Sequence, residues 1–309
     1  MQDSKNFSVC KLNSEIDNLP PSLQKASQIG ILKFFNQEKN NLEDKSAIVI
    51  LTFGTTFKET RKKNIDSIAQ KIQAAHPNEK VVTAFTSRIV IKRIIKREGF
   101  CEYKTPEETL EKLFAEGFTN ITLASLNLIP GIEYKYSVEL FHEYKFKFKK
   151  ITLSTPLMYW QGQKNFPDDI LEVLKVLDFP PPKKNTAIFL MTHGTLDPSN
   201  AYYSLMQEKI NLFREDIFVY TLEGFPSLEY CVEKIKNSAI KKIFLMPFML
   251  SAGNHVLEDM IGDKKNSHKN ILESFGFEVE YFLQGLGENE KIQQIFLQRV
   301  EQAWKIFND

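Results

Sequence analysis

From residue 46 onward the chain alternates short, β-branched apolar runs with amphipathic segments of roughly 10–18 residues that follow the helical period. The runs fall at 47–53, 81–85, 121–126 and 151–153, then again at 187–191, 217–222, 243–250 and 277–282. They are apolar throughout rather than at every second position, which predicts strands covered on both faces. Strands of that kind alternating with helices predict a parallel sheet in each series. Helix starts are marked by local chemistry: Thr105, Pro106, Glu107 and Glu108 combine an N-cap, a proline at the first helical position and a capping-box glutamate. The closing stretch, 288–307, reads as one long amphipathic helix, expected to pack back on the first domain. Between the two series lies FPPPKK (179–184), which reads as a linker. Residues 1–45 are rich in amides and lysine, with one modest amphipathic run at 23–35 after Pro20 and Pro21, and read as an N-terminal extension. The expected division is an extension (1–45), a first α/β domain (46–178) and a second (179–309).

The two series look like copies of one unit. IVILTFGT (48–55) matches IFLMTHGT (188–195), VTAFTS (82–87) lies against FVYTLE (218–223), and LNLIPG (126–131) lies against FMLSAG (248–253). Each block is a strand followed by its loop, and the three occur in the same order.

Composition narrows the class. The chain has 309 residues, 42 % apolar and 26 % charged, within the globular range and long enough for two domains. A net charge of +1 gives no basic excess for sequence-independent nucleic-acid binding. The longest apolar stretch, 243–250, contains Pro247 and falls far short of the roughly 20 residues that a membrane helix needs. No secretory signal is read in the first twenty residues. Three cysteines, Cys10, Cys101 and Cys231, lie far apart without C-x-x-C spacing, which argues against a disulfide framework and suits a reducing cytoplasm.

Of five histidines, His76, His142 and His268 lie in helical or helix-flanking contexts and read as structural. His193 and His255 are placed differently. His193 follows the first strand of the second series, Glu223 the second and His255 the third, each about one βαβ period after the last. Consecutive parallel strands therefore deliver His, Glu and His to the carboxyl edge of one sheet, where open α/β sheets bind ligands. Two imidazoles and one carboxylate suit a borderline divalent ion such as Co²⁺, Ni²⁺, Fe²⁺ or Zn²⁺. The corresponding positions of the first half are Phe53, Ser87 and Glu133. That half instead presents Phe53, Gly54, Thr55 and Thr56 with the basic residues Arg61, Arg88, Lys92, Arg93 and Lys135. A metal wall facing an apolar and cationic wall suits a flat ligand carrying carboxylates. A hydrolytic zinc site is a weaker reading, since no water-activating base stands out beyond Glu223 itself.

These residues resemble the anaerobic sirohydrochlorin cobaltochelatases, which belong with the ferrochelatases among the ATP-independent class II chelatases. The likeness is carried by TFGTT (52–56) with Thr60 and Arg61, AFTS (84–87), LIPGIEY (128–134), THGT (192–195) with NAY (200–202), LEGFP (222–226), PFMLSAGNH (247–255), DMIGD (259–263) and GLGE (285–288), and it runs from about residue 46 to the C-terminus. The resemblance implies two flavodoxin-like halves around a tetrapyrrole cleft. It implies His193, Glu223 and His255 as metal ligands; from imidazole chemistry these three are also expected to be the catalytic groups, with His193 the main proton acceptor. Substrate contacts are expected at Phe53, Gly54, Thr55, Thr56, Ser87, Arg88, Glu133, Gly194 and Thr195. The implied reaction inserts Co²⁺ into sirohydrochlorin or precorrin-2 with release of two protons in cobalamin synthesis. It uses no organic cofactor and no nucleotide, in keeping with the absence of a G-x-x-x-x-G-K-[ST] loop. Fe²⁺ or Ni²⁺ insertion and a non-catalytic tetrapyrrole or metal carrier are the alternatives, with Zn²⁺ a further ion the site could accept. The expected partners are the tetrapyrrole and the metal ion, with no nucleic acid and no membrane, in the cytoplasm; a homo-oligomer is left open. The chain departs from many relatives at Asn127 and Asp197, where histidine is common, and at Asn254, where aspartate is usual.

Overall fold

The structure, a computed structural model, describes residues 20–253 and 255–306. Nine strands form two sheets: β1 (Leu32–Phe35), β2 (Ser46–Thr52), β3 (Lys80–Phe85), β4 (Asn120–Ser125) and β5 (Lys150–Leu153) in the first, and β6 (Thr186–Gly194), β7 (Ile217–Glu223), β8 (Lys242–Pro247) and β9 (Glu278–Tyr281) in the second. The orders are β1-β5-β4-β2-β3 and β7-β6-β8-β9. With β1 set aside the two halves share one topology: the first strand (β2, β6) lies between the second and third, and the fourth is outermost. All of these pairings are parallel. The shared strand order is an independent mark of the repeat seen in the sequence.

The unbroken apolar runs have a simple cause. Ile48 and Ile50 point into one core while Ala47, Val49 and Leu51 point into another on the opposite face. In β6 the same alternation sends Ile188 and Leu190 one way and Ala187, Phe189 and Met191 the other. The core holding Ile48 and Ile50 also holds Ile188 and Leu190, so the halves share one interior. Ile292, Phe296 and Val300 of the last helix, Glu290–Lys305, complete it. That helix packs on the helix Ser67–Ala75 and across β4, both in the first half. Burying each of these large side chains stabilises the fold by roughly 1.5–3 kcal/mol. Polar anchors fix the register of the helix. Arg299 reaches the fully buried Asp169 (2.9 Å), whose carboxylate also accepts from the backbone N–H groups of Tyr159 and Trp160. Buried His76 faces Glu301 at 2.7 Å, with its ring edge-on to Trp304.

One segment differs from the sequence reading. The amphipathic run at 23–35 is divided between two elements rather than lying in a separate extension. Residues Pro21–Ala26 form a short helix, and Leu32–Phe35 pairs antiparallel with β5, Leu32 opposite Leu153. The stretch read as an extension thus adds an edge strand to the first sheet, while residues 1–19 lie outside the described residues. The proline-rich connection at 179–184 is held in place, because Phe179 packs on the shared core and Arg214 donates to the Pro180 carbonyl (3.0 Å). Thr105 and Glu108 form the reciprocal capping box, at 3.3 and 2.9 Å. Among the described residues no helix is long and apolar enough to cross a membrane.

Candidate metal and macrocycle site

The strand-end loops of the two halves face one another. A Cβ placed on Gly253, in the loop after β8, would lie 3.2 Å from the Thr55 hydroxyl in the loop after β2. Lys135, near the start of the helix Ile132–Tyr144 after β4, pairs with Asp197 in the loop after β6. The carboxyl edges of both sheets therefore border one region.

The His193 loop is shaped by its glycine. Gly194 has φ +75°, which side-chain-bearing residues rarely adopt, and a Cβ there would lie 1.9 Å from the Glu223 carbonyl oxygen. Only glycine lets the end of β6 run this close to the end of β7, where Gly194 and Glu223 are register partners. In the first half Gly54 repeats the device, with φ +87° and the missing Cβ facing the Phe85 ring at 2.4 Å. Asn200 then ties two loops together: its Oδ1 accepts from the Thr195 backbone N–H (3.0 Å) and its Nδ2 donates to the Phe225 carbonyl (2.6 Å). The amide thus spans the loop after His193 and the loop after Glu223.

His193 and His255 stand side by side, with ring centroids 4.9 Å apart and ring planes at 88°. His193 Nδ1 lies 3.1 Å from the Gly194 carbonyl oxygen. His255 Nδ1 lies 2.6 Å from Asp259 Oδ2. Both partners are acceptors, so each Nδ1 carries a hydrogen, and in the neutral imidazole Nε2 is the nitrogen with the lone pair. Glu223 is exposed at the end of the neighbouring strand. Among the described residues no group of three or more His, Cys, Asp or Glu side chains stands close enough together to hold a metal ion. The structure thus gathers two of the three predicted donors. The third, Glu223, ends the adjoining strand and does not form a three-donor group with them.

The other predicted residues divide. Phe53 projects 51 % exposed after β2, with Thr56 beside it. Ser87 is buried and occupied as an N-cap, accepting from the Val90 N–H (3.3 Å). Glu133 lies in the first turn of its helix. Several cations expected to face carboxylates have partners inside the protein. Buried Arg61 donates to the Thr56 carbonyl (2.9 Å) and to Glu98 (2.7 Å), so it braces the loop at 55–56. Arg88 pairs with Glu107 at 3.3 Å. Lys135 and the backbone N–H of Ser199 hold the Asp197 carboxyl down at about 2. Lys92 and Arg93 are exposed on the helix Arg88–Glu98. The remaining histidines are structural: burial lowers the pKa of His142 and of His268, and the latter's Nδ1 lies 2.9 Å from the Tyr220 hydroxyl. Cys101 and Cys231 are buried free thiols, the second pushed up to about 12 by burial, and Cys10 lies outside the described residues.

One feature was not predicted. Large apolar side chains stand exposed just after the parallel strands: Phe53 after β2, Ile89 after β3, Ile132 after β4, Leu196 after β6, Phe225 after β7 and Leu257 after β8. Leu196, at 94 %, is almost wholly uncovered. Phe53, Leu196 and Phe225 lie in the loops after their strands, whereas Ile89, Ile132 and Leu257 lie in the helices that follow. Such a rim offers an apolar surface to a flat ring. A cavity of about 340 Å³ lies elsewhere, between the N-terminal helix and the helix Ile132–Tyr144, and shares no residue with the predicted site.

Comparison with known proteins follows the same lines. A family model described as cobalt chelatase (CbiK) matches residues 46–305. The sirohydrochlorin cobaltochelatase of Salmonella typhimurium is 28 % identical over 261 residues, covering 84 % of this chain and 96 % of that protein. The sirohydrochlorin cobaltochelatase CbiKC of Nitratidesulfovibrio vulgaris is 25 % identical over 270 residues, covering 86 % of this chain and 93 % of the other. In fold, the chain is similar to SirB from Bacillus subtilis with Fe³⁺ (TM-score 0.58, 15 % identity, 86 % of this chain and 98 % of that one). It is also similar to the sirohydrochlorin chelatase SirB from Bacillus subtilis subspecies spizizenii in complex with cobalt (TM-score 0.52, 14 % identity, with the same coverage).

Proposed function

Since the chain belongs to the cobalt chelatase (CbiK) family, we propose that it inserts Co²⁺ into sirohydrochlorin without a nucleotide. The observation that carries this reading is the paired imidazoles of His193 and His255, each with Nδ1 against an acceptor, at the carboxyl edge of the second sheet. Insertion requires the hydrated ion to shed water and two pyrrole N–H protons to leave a ring whose lone pairs point inward. Neutral imidazoles suit both demands, because they bind a borderline divalent ion and accept protons near neutral pH. In the proposed sequence Co²⁺ is held by His193 and His255, with Glu223 turning in to offset charge. The macrocycle lies against Phe53, Leu196 and Phe225, with its acetate and propionate groups toward Lys92 and Arg93. As the ion passes to the pyrrole nitrogens it vacates the two Nε2 lone pairs. The two pyrrole protons take those places, His193 receiving the first, and pass on to water. One divalent cation enters and two protons leave, so charge balances. The bound geometry contributes by holding ring, metal and proton acceptors together rather than leaving them to meet by diffusion.

The test is anaerobic incubation with sirohydrochlorin and each of Co²⁺, Fe²⁺ and Ni²⁺, followed by absorbance of the metallated ring. Co²⁺ is expected to be inserted with turnover, and His193→Ala to lower kcat by about 10²-fold or more. Near-wild-type turnover in that variant rejects the assignment of His193. Preferential insertion of Fe²⁺ or Ni²⁺ transfers the reading to that metal, and tight binding without turnover rejects an enzyme.

A further inference from the structure

We propose that Asp259 is the positioning residue for the His255 imidazole, and that it makes His255 the firmer of the two nitrogen donors. The inference deepens the reading above and rests on His255 being a cobalt ligand. His255 and Asp259 are four residues apart on a single π-helical turn, His255–Met260, which places one side chain beside the other. Both are about half exposed, so the 2.6 Å contact is not forced on them by core packing. An ionised carboxylate accepts and never donates, so Asp259 fixes the hydrogen on Nδ1 and leaves Nε2 as the lone pair that faces the metal.

Among the described residues no carboxylate stands at His193 Nδ1. That nitrogen is satisfied by the carbonyl of the next residue, Gly194, a neutral acceptor that turns with the same loop. A carboxylate behind an imidazole pushes electron density toward the far nitrogen and holds the ring plane, whereas a peptide carbonyl does less of both. The two imidazoles, alike in sequence, are therefore unequal: His255 grips the ion, and His193 releases it first and becomes free for the leaving proton. The residue before His255 is Asn254, which carries no charge, so on this turn the carboxylate behind the ring is that of Asp259.

The experiment is titration of the full chain with Co²⁺ alone, read by calorimetry and by the visible ligand-field absorption of the bound ion, with thermal unfolding recorded for every variant. Asp259→Asn is expected to weaken Co²⁺ binding by about 10–100-fold and to alter the absorption band. Asp259→Glu is expected to recover part of both, and neither change is expected to move the unfolding midpoint. His255→Ala separates the two levels. If it binds Co²⁺ like the wild type, His255 is no ligand, and both the inference and the ligand reading fall. If it loses binding while Asp259→Asn keeps wild-type affinity and spectrum, only the role of Asp259 falls. Loss of binding in Asp259→Asn that merely tracks loss of folded protein also overturns it.

Discussion

The side chain whose removal is most informative is Asn200, because it touches no predicted ligand yet joins the loops that carry two of them. Its amide accepts from Thr195 N–H at 3.0 Å and donates to the Phe225 carbonyl at 2.6 Å, and Gly224 leaves room for it. Each such bond contributes about 0.5–1.5 kcal/mol net, so Asn200→Ala removes at most about 3 kcal/mol. The contact to Phe225 is exposed and water can replace it. We therefore expect about 1–2 kcal/mol lost in urea unfolding. The kinetic effect should be larger. A displacement of about 1 Å between reacting groups costs on the order of 10²-fold in rate, and the two loops carry His193 and Glu223. Co²⁺ insertion by Asn200→Ala should fall about 10–100-fold in kcat, with little change in the amount of folded enzyme. Asn200→Asp refines the test. It keeps the acceptor for Thr195 but sets a carboxylate against the Phe225 carbonyl, so it should keep part of the stability and still lose turnover. Wild-type kcat in either variant, or loss in proportion to unfolded protein, would refute the idea that this amide registers the loops.

Two further changes test the same edge. Gly194→Ala drives a Cβ to within 1.9 Å of the Glu223 backbone oxygen at a φ that itself costs about 1–2 kcal/mol, so the ends of β6 and β7 must part. It should lower the unfolding midpoint and weaken Co²⁺ binding more than Gly54→Ala, whose neighbour is a side-chain ring; equal effects would count against the argument. The Lys135–Asp197 pair makes a pH prediction. The Asp197 carboxyl is held at about 2 in the fold against about 3.9 in an unfolded chain, so the folded state binds its proton less readily. The resulting stability is full above about pH 4 and disappears as pH falls toward 2. The gap in unfolding free energy between wild type and Asp197→Asn, no more than about 1 kcal/mol for an exposed lysine, should be constant near neutrality and close over that range. A gap unchanged at pH 2 would show that the pair is not its source.

The eight strands of the two series and the Thr105 cap were legible in the sequence because each rests on a local pattern: an apolar run, or three or four neighbouring residues. The position of His193, Glu223 and His255 at one sheet edge followed from the period of those runs. β1 was not legible. LKFF is short, contains a lysine, and becomes a strand only through pairing with β5, more than a hundred residues away. Charges were visible as charges but their partners were not. Arg61, Arg88 and Lys135 were read as free to meet a substrate, and each meets a carboxylate supplied by a distant segment. Asn200 and Asp259 stood within motifs already noted, yet their roles depend on which backbone or ring they touch. Spacing placed Glu223 at the same sheet edge but does not address whether its carboxylate meets the two imidazoles, and among the described residues no three-donor group forms.

The interior common to both sheets, sealed by a terminal helix that crosses from one half to lie on the other, limits how the molecule can breathe. A clam-like hinge at the 179–184 connection would open the apolar cluster to which Ile48, Ile50, Ile188 and Leu190 all belong, and would pull the last helix from the first half. Movement that spares this interior is left to the short loops at the strand tips.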